Sequence, residues 1–394
     1  MNFRDLEIPQ PILEIARTLE DAGFEAWCVG GSLRDALLGH QHSDYDVATS
    51  ATPDQVQKLF PRTIGVGIKY GTVGVLDRSR ALHEVTTFRR DVATDGRHAV
   101  VAYGASLEED LARRDFTINA LAYHPLRREW RDPFQGALDL SQRLVRAVGD
   151  PEQRFREDYL RILRALRFAA RFDFAIDPAT WDAAQKSASG LGQLSAERVR
   201  DEWFKSLRTA RSITQLVLLW AHVGAAGAWL PELEGVEGFE NAYSDPPLTD
   251  RDPVLLTVLL CRAPVAVLQR LKASNAEIAR AAALVKGPEE PRSIDEISVR
   301  RWLAEVGPAG PDLLALWRLR HGGEAPWAST VAQIRDRGDP VGRGDLAISG
   351  NDLQAVGITG PQIGTTLAAL LDRVLEEPGL NNREALLTLA RKLR

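Results

Sequence analysis

The sequence predicts an α+β N-terminal head with a mixed β-sheet, followed by an all-α neck, body and tail. Up to about residue 140, short apolar and β-branched runs alternate with glycine turns and short helical stretches. Beyond that point apolar residues recur at helical spacing, as Ile213, Leu216 and Trp220 do, and Pro and Gly clusters separate the segments. We therefore predict a head over 1–140, a neck over 141–210 and a helical body with tail over 211–394.

Composition narrows the class of protein. The chain has 394 residues and is 44% hydrophobic, which is enough for more than one core. It has no apolar run of membrane-spanning length and no signal-peptide pattern, so we expect a cytoplasmic protein. Cys28 and Cys261 lie far apart, which predicts neither a disulfide nor a zinc site. The net charge of −5 argues against general nucleic-acid binding, but the arginine-rich stretch 113–171 can form a local basic face.

Six further stretches of the head and neck have local signals for secondary structure. Helical spacing predicts an amphipathic helix within residues 1–25, and a capping pattern at Thr52 predicts another that ends near Phe60. Residues 63–77 and 81–88 are predicted to be strands. Residues 89–107 are polar and without sustained periodicity, which predicts a mobile loop. Asp150 and Pro151 predict the start of a long helix that ends near Arg171.

The stretch 29–46 has the strongest chemical pattern. A strand ends at Gly30 and Gly31, a helix is predicted over 32–38, and a second strand over 43–48. Adjacent glycines let the backbone approach a bulky anion, and the free N–H groups at a helix start favour phosphate. The pattern therefore suits a nucleoside triphosphate.

Carboxylates follow on the next strands. Asp44 and Asp46 are two residues apart, so the pleat directs both to one face, as a divalent cation such as Mg²⁺ requires. Two such ions can activate an attacking hydroxyl and neutralise a leaving pyrophosphate. Glu84 is a candidate third carboxylate, although it fits an exposed strand glutamate nearly as well. An isolated Asp-x-Asp is usually a solvated turn, but the glycine turn before it favours a catalytic site.

Two later segments fit nucleotide contacts. In 111–120, an arginine can bind triphosphate oxygens and Asp115 can accept from a ribose hydroxyl; the alternative is an ion-paired helix start. Asp158 and Arg161, three apart, are predicted to share a helix face. The carboxylate can accept from the amine of cytosine or adenine while the guanidinium donates to the adjacent ring nitrogen. Uracil and guanine would leave polar groups unpaired at about 1–3 kcal/mol each. The alternative is an ordinary i, i+3 salt bridge.

These motifs together resemble one family. Gly30 to Asp35, Asp44-Tyr45-Asp46, Arg113-Arg114-Asp115, Glu157 to Arg161 and Ser195 to Glu202 resemble class II tRNA nucleotidyltransferases. That family contains CCA-adding enzymes and poly(A) polymerases, within the DNA polymerase beta-like superfamily. The resemblance is dense over 30–202 and weak afterwards. It implies Mg²⁺ at Asp44 and Asp46 and nucleotide-binding roles for the following residues: Gly30, Gly31, Arg34, Arg114, Asp115, Asn119, Asp158, Arg161, Arg164 and Arg167.

The resemblance also bears on the product. Residues 89–107 resemble the family's flexible loop and keep Asp95, Arg97 and His98. As the resemblance implies, CC-adding relatives lack much of this loop. Here it is nearly full length, although about one residue shorter than the common pattern and without a tyrosine before Asp95. The segments 349–353 and 360–364 resemble the family's tail, where a helix start could bind a tRNA phosphate or simply form a helix-turn-helix.

The resulting expectation is addition of C, C and A to the tRNA 3′ end from CTP and ATP, with no membrane and no protein partner. A-adding enzymes, CC-adding enzymes and poly(A) polymerases share the same motifs and stay open as alternatives. A non-catalytic RNA-binding module is a remote alternative, because both aspartates, Asp44 and Asp46, and the pair Asp158 and Arg161 are retained.

Overall fold

The computed structural model describes residues 5–40, 45–94, 99–233 and 251–393. The chain forms two compact units, Met1–Pro231 and Glu232–Arg394. The predicted head and neck fall within the first unit, and their boundaries at 140 and 210 stay predictions.

The described part of the first unit contains eleven strands. In chain order they are β1 (Ala26–Val29), β2 (Asp46–Thr49), β3 (Thr63–Gly67), β4 (Thr72–Leu76), β5 (Leu82–Thr87), β6 (Arg89–Thr94), β7 (Ala99–Tyr103), β8 (Ala122–His124), β9 (Glu129–Arg131), β10 (Leu144–Val145) and β11 (Ala175–Ile176). Seven of them form one sheet in the order β3-β4-β5-β2-β1-β8-β9. The β2 and β5 pair is parallel and the other neighbours are antiparallel, so the predicted mixed sheet is confirmed.

Helices surround this sheet and continue beyond it. Those of the first unit are α1 (Gln10–Asp21), α2 (Gly31–Leu37), α3 (Pro53–Leu59), α4 (Leu107–Ala112), α5 (Gly136–Ser141), α6 (Pro151–Glu157), α7 (Leu160–Phe172), α8 (Pro178–Lys186), α9 (Ala196–Thr209), α10 (Ile213–Val223) and α11 (Ala225–Trp229). The predicted α1 is confirmed, with Ile12, Ile15, Ala16 and Leu19 buried. Thr52 and Gln55 form the predicted capping box at the start of α3.

The second unit is helical throughout its described part. Its helices are α12 (Pro253–Leu260), α13 (Pro264–Arg270), α14 (Asn275–Lys286), α15 (Glu296–Val306), α16 (Gly310–His321), α17 (Ala328–Arg337), α18 (Gly350–Ala355), α19 (Gln362–Glu376) and α20 (Arg383–Lys392). The last three share a small core that includes Leu353, Leu370 and Leu386. In the part of the chain that the structure describes, no helix is long and apolar enough to cross a membrane.

The single strand predicted over 63–77 is wrong. The segment forms two antiparallel strands, β3 and β4, with a short 3-10 turn at Ile68–Tyr70 between them. Gly71 ends this turn with a φ of 86°, a conformation that glycine adopts without steric cost. The apolar residues on both sides of the turn had concealed it in the sequence.

The predicted loop over 89–107 is also wrong, because β6 and β7 pair there as an antiparallel hairpin. The β-branched Val92 and Thr94 and the mostly apolar run 99–103 are compatible with strands, and an Asp-Gly pair between such segments is typical of a hairpin turn. The Asp95, Arg97 and His98 of the predicted loop lie outside the described residues.

The predicted continuous helix from 150 to 171 is interrupted at Asp158. Here the backbone is extended, with φ −158° and ψ 104°, and α6 ends one residue earlier. The Leu160 N–H donates to Asp158 Oδ1 at 3.0 Å, and the Arg161 N–H donates to the Asp158 carbonyl at 3.0 Å. Asp158 therefore accepts hydrogen bonds from the first two N–H groups of α7, as short acidic residues commonly do near helix starts.

One hydrophobic core includes residues of both the seven-stranded sheet and helix α7. Ala165, Phe168, Ala169 and Phe172 of α7 belong to the same buried cluster as the strands β1, β2, β4 and β5 and helix α1. Burial of apolar surface from both segments thus fixes α7 against the sheet.

Candidate nucleotide-binding and catalytic site

A cavity of about 680 Å³ lies in the first unit, lined by the strands β1, β2, β4 and β5, by helix α2, and by α7. It brings together every predicted site residue that the structure describes, namely Gly30, Gly31, Arg34, Asp46, Glu84, Arg114, Asp115, Asn119, Asp158, Arg161, Arg164 and Arg167. Asp44 lies outside the described residues, so its metal and catalytic roles stay predictions.

The glycine turn brings the backbone close to charged side chains of the cavity wall. Gly30 has a φ of 88°, and a Cβ atom there would lie 3.4 Å from Asp46 Oδ2 and 3.5 Å from Arg114 Nη1. A Cβ atom on Gly31 would lie 3.0 Å from Arg34 Nη2. The two glycines therefore let the backbone come close to both a carboxylate and two guanidinium groups.

Asp46 and Glu84 lie on neighbouring parallel strands. The register pairs Val47 with Val85, so the two acidic residues that precede them are adjacent on the exposed face of the sheet. Their oxygen-only donor set fits a hard cation such as Mg²⁺. Among the described residues, no group of three or more potential ligands is close enough to hold a metal ion, and the predicted partner Asp44 is not among them.

Arg34 is buried at the base of the cavity. Its Nε donates to Asp35 Oδ1 at 2.7 Å, and Asp35 Oδ2 in turn accepts from Arg171 at 3.0 Å. The Arg34 guanidinium also lies 4.8 Å from the Phe172 ring centroid, within cation–π range. Burial lowers the pKa of Arg34 below its usual value, although the neighbouring carboxylate of Asp35 opposes this. The ion pair with Asp35 and the contact with Phe172 hold Arg34 in a fixed position.

Arg114 and Arg113 share one buried carboxylate. Asp110 accepts from Arg113 through Oδ1 at 2.9 Å and from Arg114 through Oδ2 at 3.3 Å. Arg114 also donates to the Asn119 carbonyl at 3.2 Å, and its Nε is buried with no partner among the described residues. This geometry fixes the planar guanidinium of Arg114 beside the glycine turn.

Asp115 is held by two elements at once. Its Oδ1 accepts from the backbone of Phe116 and from Asn119 Nδ2, each at 2.9 Å, and its Oδ2 accepts from Arg164 Nη2 at 2.6 Å. Burial on its own would raise the pKa of Asp115, but the Arg164 charge and the hydrogen bonds outweigh it and lower the pKa to about 2. The ion pair connects the predicted sugar-binding residue to helix α7.

This pairing predicts a pH-dependent stability. Because the pKa of Asp115 falls from an ordinary 3.8 to about 2 on folding, its contribution is present above pH 4 and is lost as the pH falls towards 2. We expect Asp115→Asn to lower the free energy of unfolding at pH 7 by about 2 kcal/mol, and the deficit to shrink below pH 4. Urea unfolding at pH 7 and pH 3 measures it, with the exposed Asp54→Asn as control. An equal deficit at both pH values would contradict this assignment.

Asp158 and Arg161 both line the cavity, although they do not share a continuous helix face as predicted. Asp158 Oδ2 accepts from Arg198 at 2.6 Å. Arg161 donates through Nη1 to Glu157 Oε2 at 2.8 Å and through Nη2 to the Arg113 carbonyl at 3.0 Å. The helix break places the Asp158 carboxylate at the cavity wall. The contacts with Glu157 and Arg113 fix the orientation of the Arg161 guanidinium.

Arg167 is placed differently from its neighbours on α7. Its guanidinium pairs with Glu202 of α9 and lies 4.2 Å from the Phe168 ring centroid. Only 7% of Arg167 is exposed. It therefore lines the cavity while also linking α9 to α7.

Two further arginines of the cavity were not predicted from the sequence. Arg171 and Arg198 line the cavity and pair with Asp35 and Asp158. The spacing of Arg164, Arg167 and Arg171 along α7 was a usable signal for Arg171, because residues three and four apart share a helix face. No local signal identifies Arg198, whose partner lies 40 residues away.

Comparison with known proteins agrees with this site. Residues 26–146 match the family model described as the poly A polymerase head domain, and residues 173–235 match the probable RNA and SrmB- binding site of polymerase A. A CCA-adding enzyme of Levilactobacillus brevis is 35% identical over 405 residues, covering 97% of this chain and 96% of that protein.

Two further relatives are informative. A CCA-adding enzyme of Streptococcus mutans is 47% identical over 201 residues, a match that spans 50% of each chain. The crystal structure of the Bacillus stearothermophilus CCA-adding enzyme in complex with CTP superposes with a TM-score of 0.83 at 32% identity, covering 97% of this chain and 98% of that one. The resemblance found in the motifs is thereby confirmed over the whole length, and the chain belongs to the CCA-adding enzyme family.

Proposed function

We propose that this chain is a template-independent tRNA nucleotidyltransferase that adds C, C and A to the tRNA 3′ end from CTP and ATP in the cytoplasm. The observation that carries the proposal is the charge pattern of one cavity. Nine arginines line it together with five carboxylates, and two of these, Asp46 and Glu84, lie on the exposed sheet face. Such a surface suits a polyanion whose reacting end is held next to a cation.

The triphosphate fits the arginine side of the cavity. The glycine turn at Gly30 and Gly31 allows close approach of phosphate oxygens, and Arg34 and Arg114 are held in fixed positions beside it. Asp115, ionised and anchored by Arg164, can accept a hydrogen bond from the ribose 2′-hydroxyl. That contact favours ribonucleotides over deoxyribonucleotides.

Transfer requires the 3′-hydroxyl of the RNA to attack the α-phosphorus in line with the leaving pyrophosphate. We assign Asp46, with Asp44, to hold Mg²⁺, and Glu84 as a neighbouring third carboxylate. Bound Mg²⁺ supplies activation of the attacking hydroxyl and neutralisation of charge on the pyrophosphate. Arg34 and Arg114 orient the triphosphate, so that its α-phosphorus is held close to the attacking 3′-hydroxyl oxygen.

Base selection falls to Asp158 and Arg161. Each Asp158 oxygen already accepts one hydrogen bond, and a carboxylate oxygen has a second acceptor site for an exocyclic amine. Arg161 uses three of its five N–H groups on Glu157, Arg154 and Arg113, and no described residue accepts from the other two. The pair can therefore read cytosine or adenine without a nucleic-acid template.

One assay tests the proposal against its rivals. Radiolabelled CTP and ATP, supplied separately and together, are incubated with tRNA ending at the discriminator base, at C or at CC. The proposal requires CCA on the first substrate only when both nucleotides are present. Arrest at CC, addition of A alone, or a long A tail would instead indicate a CC-adding enzyme, an A-adding enzyme or a poly(A) polymerase. No incorporation would indicate a non-catalytic RNA-binding module.

Arg161→Ala is expected to relax base selection. Removing its donors should lower the ratio of kcat/KM for CTP to that for UTP about tenfold or more, because an unpaired polar group costs about 1–3 kcal/mol. Incorporation of each of the four nucleotides is measured separately. The control is Arg156→Ala, a mostly exposed arginine of α6 that pairs with Glu152 outside the cavity. An equal loss of activity with all four nucleotides would make Arg161 a structural residue.

A further inference from the structure

The exposed face of strand β5 continues beyond the catalytic carboxylates. Leu82 and Glu84 are exposed, whereas His83 and Val85 between and after them are buried. Since side chains alternate along a strand, Leu82 projects from the same face as Glu84, about 7 Å along the strand. The sheet face that holds the acidic residues therefore has an apolar neighbour.

Three aliphatic side chains gather at this place. Gly74 of β4 pairs with Glu84, and Ile64 of β3 lies opposite Gly74. A Cβ atom on Gly74 would lie 2.5 Å from Leu82 Cδ1 and 2.8 Å from Val66 Cγ2, so these side chains fill the space above the glycine. We call Ile64, Val66 and Leu82 the apolar shelf.

The side chains of the apolar shelf are exposed to solvent, which indicates that another molecule covers them. Ile64, Val66 and Leu82 are 48%, 44% and 43% exposed, and β3 is the edge strand of the sheet. Adjacent large apolar side chains on an edge strand are a liability unless something covers them. The catalytic cavity extends along the same strands through Thr72 and Thr86, so the shelf begins where the cavity ends.

We propose that the apolar shelf binds the base of the terminal nucleotide at the RNA 3′ end, an inference that rests on the proposed function. The incoming nucleotide is assigned to the arginines of α2, α7 and the segment 113–114, which line the cavity. The side of Glu84 towards β4 and β3 is then available to the RNA that attacks. The shelf adjoins Glu84 both along β5 and across β4, within the span of one nucleotide. A base resting there places its own 3′-hydroxyl near Asp46 and Glu84.

The chemistry of the shelf suits this occupant. The growing end presents the discriminator base, then C, then a second C, so its contact must accept different bases. Aliphatic side chains can pack against the face of any base, and they have no hydrogen-bonding groups that would discriminate between bases. Selection is left to Asp158 and Arg161, which read the incoming base on the other side of the carboxylates.

The test combines a protein variant with an altered RNA. Leu82→Ser, Val66→Ser and the control Leu138→Ser, an equally exposed leucine of α5, are compared on tRNA lacking CCA. Each is assayed with intact RNA and with RNA whose terminal nucleotide is abasic. We expect the two shelf variants to lower kcat/KM for intact RNA about tenfold and to leave KM for CTP within twofold. With the abasic RNA, kcat/KM of the wild type should fall by the same factor. The kcat/KM of the shelf variants should not fall further, because the variant and the abasic RNA remove the same contact.

Each contrary outcome has a distinct meaning. Shelf variants that match Leu138→Ser, or losses that multiply with those of the abasic RNA, would overturn the proposal while leaving the proposed function in place. A wild-type protein that transfers no nucleotide would overturn both. Circular dichroism confirms folding, and sedimentation tests one other occupant. A dimer that dissociates in Val66→Ser with unchanged kcat/KM for RNA would assign the shelf to a second copy of the chain.

Discussion

Replacing Asp46 with asparagine is expected to lower kcat about a thousandfold or more while leaving the fold intact. The substitution keeps the size of the side chain but removes the negative charge that we propose holds a cation beside the glycine turn. Loss of several kcal/mol of stabilisation in the transition state corresponds to at least this factor, at 1.36 kcal/mol for each tenfold change. Asp46 is exposed at the start of β2, so the core below it stays packed.

The measurement is single-turnover transfer of CMP to tRNA, with saturating Mg²⁺ and CTP. Asp54→Asn serves as control, because this aspartate lies exposed in the first turn of α3 and does not line the cavity. Glu84→Gln is assayed in parallel and should also lower kcat, whereas an ordinary strand glutamate would tolerate the change. Near-normal turnover of Asp46→Asn with an unchanged circular dichroism spectrum would refute the metal assignment.

The site could be predicted from the sequence where its chemistry is local. The glycine turn, the alternation around Asp46, and the run from Arg113 to Asp115 each bring functional groups together within a few residues. Short segments of this kind keep their geometry because backbone periodicity alone sets which side chains share a face. The structure accordingly brings all the described ones into a single cavity.

Contacts between distant segments could not be predicted in this way. Arg171 and Asp35 are 136 residues apart, and Arg198 and Asp158 are 40 apart. Their pairing depends on how α7 packs on the sheet and on α9, which apolar periodicity indicates only as a buried face. The same limit explains the break at Asp158, because the run 150–171 has good helical spacing on both sides of it. Tyr159 follows the break, and a Cβ atom on Gly190 would lie within 2.1 Å of its ring, so tertiary packing holds the interruption.

Errors in the strand regions had a different cause. Between 63 and 77 the apolar residues continue through a turn that only Gly67 and Gly71 indicate. Between 89 and 107 the polar residues show no sustained periodicity, which suggested a loop, although β6 and β7 pair with each other there. A hairpin requires only a pairing partner and a turn, and both were present in the sequence.

That hairpin carries the second large prediction, which concerns the terminal A. The open end of the hairpin is hydrogen-bonded to the turn between β3 and β4. Arg89 donates to the Tyr70 carbonyl, and the Tyr103 hydroxyl donates to the Ile68 carbonyl at 3.2 Å. Arg89 also lines the catalytic cavity. A segment anchored at its base and touching the cavity is placed to move the cavity wall when the larger adenine replaces cytosine.

We therefore expect excision of residues 94–101 to leave C addition within about fivefold and to lower A addition about a hundredfold, the cost of misplacing a reacting group by about 1 Å. The excision keeps Arg89 and Tyr103, so both anchors and the cavity wall persist. A length-matched control replaces residues 95–98 with glycine and serine, which separates the length of the segment from its side chains. Products on tRNA ending at the discriminator base are resolved on a sequencing gel. Two outcomes would contradict this role of the hairpin: an excised variant that still completes CCA, or an intact protein that stops at CC with ATP present. In either case the hairpin would not govern the change from C to A.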